Sequence, residues 1–128
     1  MTGQEMYAKV KRWTFDKLSS PINDEYILEA INRVLAELFM ENNMMRIAKD
    51  KTPLLSIPQY QMDTLSEEIP YEDEYVYSVI PVGVGAYLLI DDDLGKYSIY
   101  TTDYNNLRVL NQRLNSTERI ERAYADAV

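Results

Sequence analysis

Between Asp24 and Asn43 the chain repeats its apolar residues at helical spacing, and no other stretch limits the fold so tightly. Ile27, Ile31, Val34, Leu35 and Leu38 form one wide face, extended by Met45, that has to be buried against other elements. Asn23 is a good N-cap, Asp24 and Glu25 put negative charge at the positive end of the helix dipole, and Ile22 and Ile27 sit at staple spacing. The spacing predicts a helix ending between Asn43 and Ile47, where ENNMMRIAKDK mixes helix formers with asparagine.

The other elements are read around that helix. Met6, Val10 and Trp13 fall at i, i+4, i+7 and predict a first helix from about Gln4 to Leu18, closed by Ser19-Ser20-Pro21. Residues 49–70 carry Thr52-Pro53, Ile57-Pro58 and Ile69-Pro70, too dense a set of prolines for a helix. They predict an extended connection, with short strands available at Leu54–Ile57 and Tyr60–Leu65. A connection of this length in a small domain is usually functional or supported by a partner.

Tyr71–Ile90 admits two readings. Its Tyr and Val content favours a strand. Yet Tyr75, Val79, Val82, Ala86 and Leu89 step by helical intervals, with Pro81 as a kink and Gly83 and Gly85 as weak points. A fourth helix is predicted from about Lys96 to Leu114, on the stripe Tyr97, Tyr100, Tyr104, Leu107 and Leu114. Asn115–Val128 forms a short tail, amphipathic through Ile120, Tyr124 and Ala127. The expected class is mainly α: a bundle of about four helices in one domain, 1–114, followed by the tail 115–128.

Charge narrows the function. The chain carries a formal net charge of −8, and the nine acids between Thr52 and Gly95 face no Lys or Arg within that stretch. Such a surface repels nucleic acid, because phosphate binding needs cations to release counterions. It suits a wall that DNA passes without sticking, a docking face for a basic partner, or metal-binding carboxylates. With no cysteine, disulfides and thiolate sites are excluded; with no histidine, imidazole bases and the usual zinc centres go too. MTGQEMYAKVKRW has no apolar run behind its charges, so no signal peptide is expected, and no stretch reaches the roughly 18 apolar residues of a membrane span. A protein made in the cytoplasm follows as the expectation.

Three carboxylate groups stand out: Glu67-Glu68, Glu72-Asp73-Glu74 and Asp91-Asp92-Asp93. Paired acids can hold Mg²⁺ with substrate phosphates, as in all-helical nucleotide pyrophosphohydrolases. The last two groups, however, mark opposite ends of one helix, roughly 20–30 Å apart at about 1.5 Å per residue. A helix start and a solvated turn explain them equally simply, and no cofactor is expected. Gly83-Val84-Gly85 lacks the following Lys-Ser/Thr of a phosphate loop and lies in an apolar run, which suits close packing. Lys9, Lys11, Arg12 and Lys17 make a modest basic face of the solubilising or partner-facing kind. Eleven tyrosines against two phenylalanines put apolar rings with polar tips either at a protein interface or around the core's rim.

SSPINDEYILEAINRVLAELFMENN resembles the second helix of tailed-phage head–tail connector adaptors, the head-completion proteins, in its acidic start and apolar face. EEIPYEDEYVYSVIPVGVGAYLLIDDDLGKYSIYTTDYNNL is similar to the third and fourth helices of that family: a proline-marked start, a small-residue helix, an acidic turn and an aromatic-rich helix. The resemblance spans roughly Met6 to Leu114 and departs from the family at Pro81 and in the Tyr-rich fourth helix. It implies a structural virion protein without turnover, a dodecameric ring beneath the portal that continues the DNA channel and offers the tail or stopper protein its attachment surface. It tips Tyr71–Ile90 toward helix. It makes Glu67, Glu68, Glu72, Asp73 and Glu74 candidates for the channel lining, where charge reversal would leave folding intact. By position it places Arg119, Ile120, Arg122 and Tyr124 against the portal, and leaves an acidic DNA-mimic module as an alternative beside the hydrolase.

Overall fold

The computed structural model describes residues 1–15, 24–90 and 93–127, with side chains described over 1–12, 24–90 and 93–114. Four helices make a mainly α bundle: α1 (Gly3–Phe15), α2 (Asp24–Ala48), α3 (Ile80–Leu89) and α4 (Leu94–Ala127). No strand forms among the described residues; a lone antiparallel bridge joins Thr2 to Glu68.

Capping chemistry sets the visible helix ends. Thr2 Oγ accepts the Glu5 N–H at 3.1 Å and donates to the Glu5 carboxylate at 3.4 Å, a capping box that starts α1. Asp93 Oδ1 accepts the Lys96 N–H at 3.0 Å and starts α4. α2 runs to Ala48, past the stop expected near its asparagines. It ends where Asp50 takes a left-handed φ of 59° and the Lys51 N–H reaches back to the Arg46 carbonyl at 2.8 Å, a Schellman closure with aspartate in glycine's usual place. Asn23 and Ser19-Ser20-Pro21 lie outside the described residues.

Periodicity decides Tyr71–Ile90. Tyr75, Val79, Ala86 and Leu89 are all buried on one helical face. Pro81 has no N–H and would press on the Tyr77 carbonyl in a regular helix. The chain accommodates it by widening just beforehand: Tyr75–Val79 is a π-helical turn, closed by the Ile80 N–H on the Tyr75 carbonyl. α3 is apolar all round, and it accordingly sits at the centre, packed on α1, α2 and α4. Gly83 lets α4 approach, since a Cβ there would meet the Tyr104 ring at 2.6 Å.

α2 and α4 run parallel. Glu37 accepts from Tyr104 at 3.0 Å and Glu41 from Arg108 Nε at 2.9 Å, both pairs 67 residues apart in sequence. On that register Ala48 stands level with Asn115, and α4 continues unbroken across the expected 114/115 boundary for about 18 Å beyond α2. Leu114, expected on the core stripe, is 52% exposed.

Candidate functional site: the acidic connection

The stretch from Lys49 to Glu74 stays irregular, and the two expected strands do not form; residues 62–66 are a turn. Its backbone finds side chains where a sheet would have offered another strand. Asn43 accepts the Leu54 N–H at 2.7 Å and donates to the Leu54 carbonyl at 3.1 Å. Three turns earlier Asn32 does the same to Tyr60, at 2.8 and 2.9 Å. Asn42, fully buried, accepts the Glu72 N–H at 2.7 Å, and Arg46 donates to the Thr52 carbonyl at 2.8 Å. The connection is therefore ordered by α2 of its own chain, without need of a neighbour. Its far end is tied to the N-terminal residues: the Gly3, Gln4 and Ile69 amides donate to the Glu67, Leu65 and Met1 carbonyls.

This path sorts the five candidate lining acids into two sets. Glu72 is 6% exposed and meets Lys51 Nζ at 2.7 Å, Lys49 at 3.7 Å and Arg46 at 3.8 Å. Glu74 takes a 2.6 Å bond from the same Lys49. Burial pushes the Glu74 carboxyl up, but the Lys49 bond and the nearby lysine charges outweigh it and hold the group below its ordinary value. These two carboxylates close the C-terminal end of α2, where cations suit the helix dipole, and reversing them would set like charges together. They are structural ion pairs, not free wall charges.

Glu67, Glu68 and Asp73 are exposed, as is Asp63. Glu68 meets the N-terminal ammonium at 2.9 Å and raises its pKa, whereas Asp63, Glu67 and Asp73 make no ion pair among the described residues. The acidic surface of the connection thus rests on Asp63, Glu67, Glu68 and Asp73. Asp91 and Asp92 lie outside the described residues, and Asp93 is the α4 cap. Among the described residues no three carboxylates converge closely enough to hold a metal ion. No described helix is long and apolar enough to cross a membrane. Arg119, Ile120, Arg122 and Tyr124 fall on the backbone of α4, with their side chains outside the described residues.

One polar seam was not foreseen. Glu37 accepts from both Tyr87, at 2.5 Å, and Tyr104, while Arg33 stacks over the Tyr87 ring at 4.5 Å from its centre and Arg108 over Tyr104 at 5.3 Å. The Glu41 bond raises the Arg108 pKa further, so this pair stays charged. The matching i, i+4 pairs Glu37/Glu41 and Tyr104/Arg108 were the available signal. The tyrosines also find their place here: Tyr60 and Tyr71 donate to the Glu68 and Leu35 carbonyls from buried rings, so at least four of the eleven serve the core and its rim. Comparisons with protein-family models, with curated proteins and with solved structures return no match to this chain.

Proposed function

We propose that this chain is a structural head–tail connector subunit of a tailed phage, working in the virion by interface geometry and channel electrostatics. Copies form a ring, dodecameric by the family pattern, between the portal protein and a tail or stopper protein. The observation that carries the reading is the exposed acidic set Asp63, Glu67, Glu68 and Asp73, presented on a connection that α2 holds in place. A ring wall bearing those charges from every copy would pass DNA without counterion-release binding. The order of helices, with an apolar small-residue α3 between an acid-started α2 and a Tyr-rich α4, supports it. The portal would be gripped by the α4 end bearing Arg119, Ile120, Arg122 and Tyr124.

The same acidic face also fits a module that mimics DNA toward a basic protein. Native mass spectrometry of the chain, alone and mixed with the portal encoded beside it, separates the two. A ring, or a portal complex of fixed stoichiometry, is expected. A monomer indifferent to portal, yet bound to a DNA-binding protein in competition with duplex DNA, would replace the connector reading with the mimic.

A further inference from the structure

Leu55 is 98% exposed, yet it stands on firmly held chain. Asn43 grips Leu54 and Asn32 grips Tyr60, each by two hydrogen bonds. The two anchors are separated by about 16 Å along α2, and the six residues linking Leu54 to Tyr60 reach about 20 Å at full stretch. Residues 54–60 therefore run nearly extended along the helix, and Leu55 has little freedom to fold back. Ile57, 46% exposed, follows it on the same segment. Large apolar side chains left in water lose the free energy that burial would recover.

A receptor of matching size lies elsewhere on the same surface. Tyr26, Glu29, Ala30, Arg33 and Tyr87 line a cavity of about 120 Å³. That is somewhat less than the roughly 150 Å³ that admits benzene, and it suits a four-carbon side chain. Ala30 is 6% exposed, and the Arg33–Tyr87 stack borders the opening. On α2 the cavity occupies residues 26–33, whereas Leu55 is held beside Asn43, about 15–25 Å further along at the helical rise. While its anchor holds, Leu55 cannot reach the cavity of its own chain.

We propose that Leu55 of one copy seats in the Tyr26–Ala30–Tyr87 cavity of a second copy of this chain. Peg and socket lie on different parts of the subunit, so the contact is head-to-tail and repeats into a closed ring or a filament. The inference stands on surface geometry and does not need the connector reading, although it would supply that reading with a ring contact.

The chain has no cysteine, which makes the test direct. Leu55→Cys and Tyr26→Cys, made in separate chains, alter residues exposed by 98% and 39%, and circular dichroism should show both folded as the parent. Mixed under mild oxidation, they should give a disulfide-linked dimer requiring both partners. Leu94→Cys, at a site 72% exposed, should give little product with Tyr26→Cys. In parallel, Leu55→Asp should weaken self-association at least tenfold by sedimentation, with helicity unchanged. Absence of the Leu55–Tyr26 cross-link, equal yield with Leu94→Cys, or a chain that remains monomeric throughout would overturn the proposal. A monomer that still binds portal would remove this contact and leave the connector reading standing; a cross-linked oligomer indifferent to portal would do the reverse.

Discussion

Replacing Gly83 by alanine should destabilise the protein, although alanine is the better helix former. Its new Cβ would stand 2.6 Å from Tyr104 Cε1, 2.9 Å from Cδ1 and 3.0 Å from Cζ, so something has to move. The ring cannot swing aside freely, because its hydroxyl donates to Glu37 at 3.0 Å and Arg108 lies over its face. If α3 and α4 part, overpacking costs roughly 1–3 kcal/mol. If the ring turns away, it gives up a hydrogen bond to a charged group worth about 1.5–3 kcal/mol. Against either stands a propensity gain of about 1 kcal/mol. The expected balance is a loss of about 1–2 kcal/mol, or roughly 4–8 °C in melting temperature. Urea unfolding followed by circular dichroism at 222 nm measures it. The decisive control is the same substitution in a Tyr104→Leu background, where the ring is absent and alanine should be neutral or stabilising by up to about 1 kcal/mol. Equal or higher stability of Gly83→Ala in the parent, or an unchanged penalty without the ring, would refute the packing argument.

Glu72→Ala should cost about 2 kcal/mol in the same assay, short of the roughly 3–5 kcal/mol for a fully buried pair, because Lys49 and Lys51 keep water after their partner is gone. Glu74 has a depressed folded pKa, so its contribution is present above its unfolded value near 4.5 and is lost as pH falls through the lower folded value. Acid titration followed by circular dichroism should accordingly show that part of the stability declining below about pH 4.5, and Glu74→Gln should flatten that limb. Asp50→Gly should gain about 1 kcal/mol by relieving the left-handed backbone at φ 59°, with denaturant midpoint as the readout; a loss would point to an unseen role for the carboxylate. Charge reversal confined to Asp63, Glu67 and Asp73 should leave the melting temperature within a few degrees while raising retention of the protein on duplex DNA at low salt. Unchanged retention would count against a charge-repelling wall.

How far the sequence could be read follows from the range of the forces involved. The α2 face and the stripe from Tyr75 to Leu89 depend on local periodicity, and both emerge as buried faces. The Thr2/Glu5 box was equally local and was missed only because attention went to the apolar stripe. Other features depend on residues that meet only after folding. Dividing the chain by segment made Glu72 a free charge, whereas its partners Arg46, Lys49 and Lys51 lie 21 to 26 residues earlier, outside the acidic block. Asn42 and Asn43 suggested the end of a helix because asparagine usually competes with helical backbone. Here their side chains serve the connection instead, a use visible only once Leu54 and Glu72 are alongside. The strands expected at 54–57 and 60–65 lacked partners for the same reason. The acidic surface survives from the sequence reading in reduced form, since only the carboxylates away from the end of α2 remain unmatched.

The asparagine anchors also decide how the molecule opens. The amides of Leu54, Tyr60 and Glu72 bond to side chains that stand in place only while α2 is helical. These amides should therefore exchange with deuterium in step with the helix interior. Their neighbours between Leu55 and Gln59, which no described group covers, should exchange early. Slow and fast positions would then alternate within a few residues of chain that has no regular structure of its own. In cooperative terms the connection belongs to α2, and a disturbance at either end of it is a disturbance of that helix.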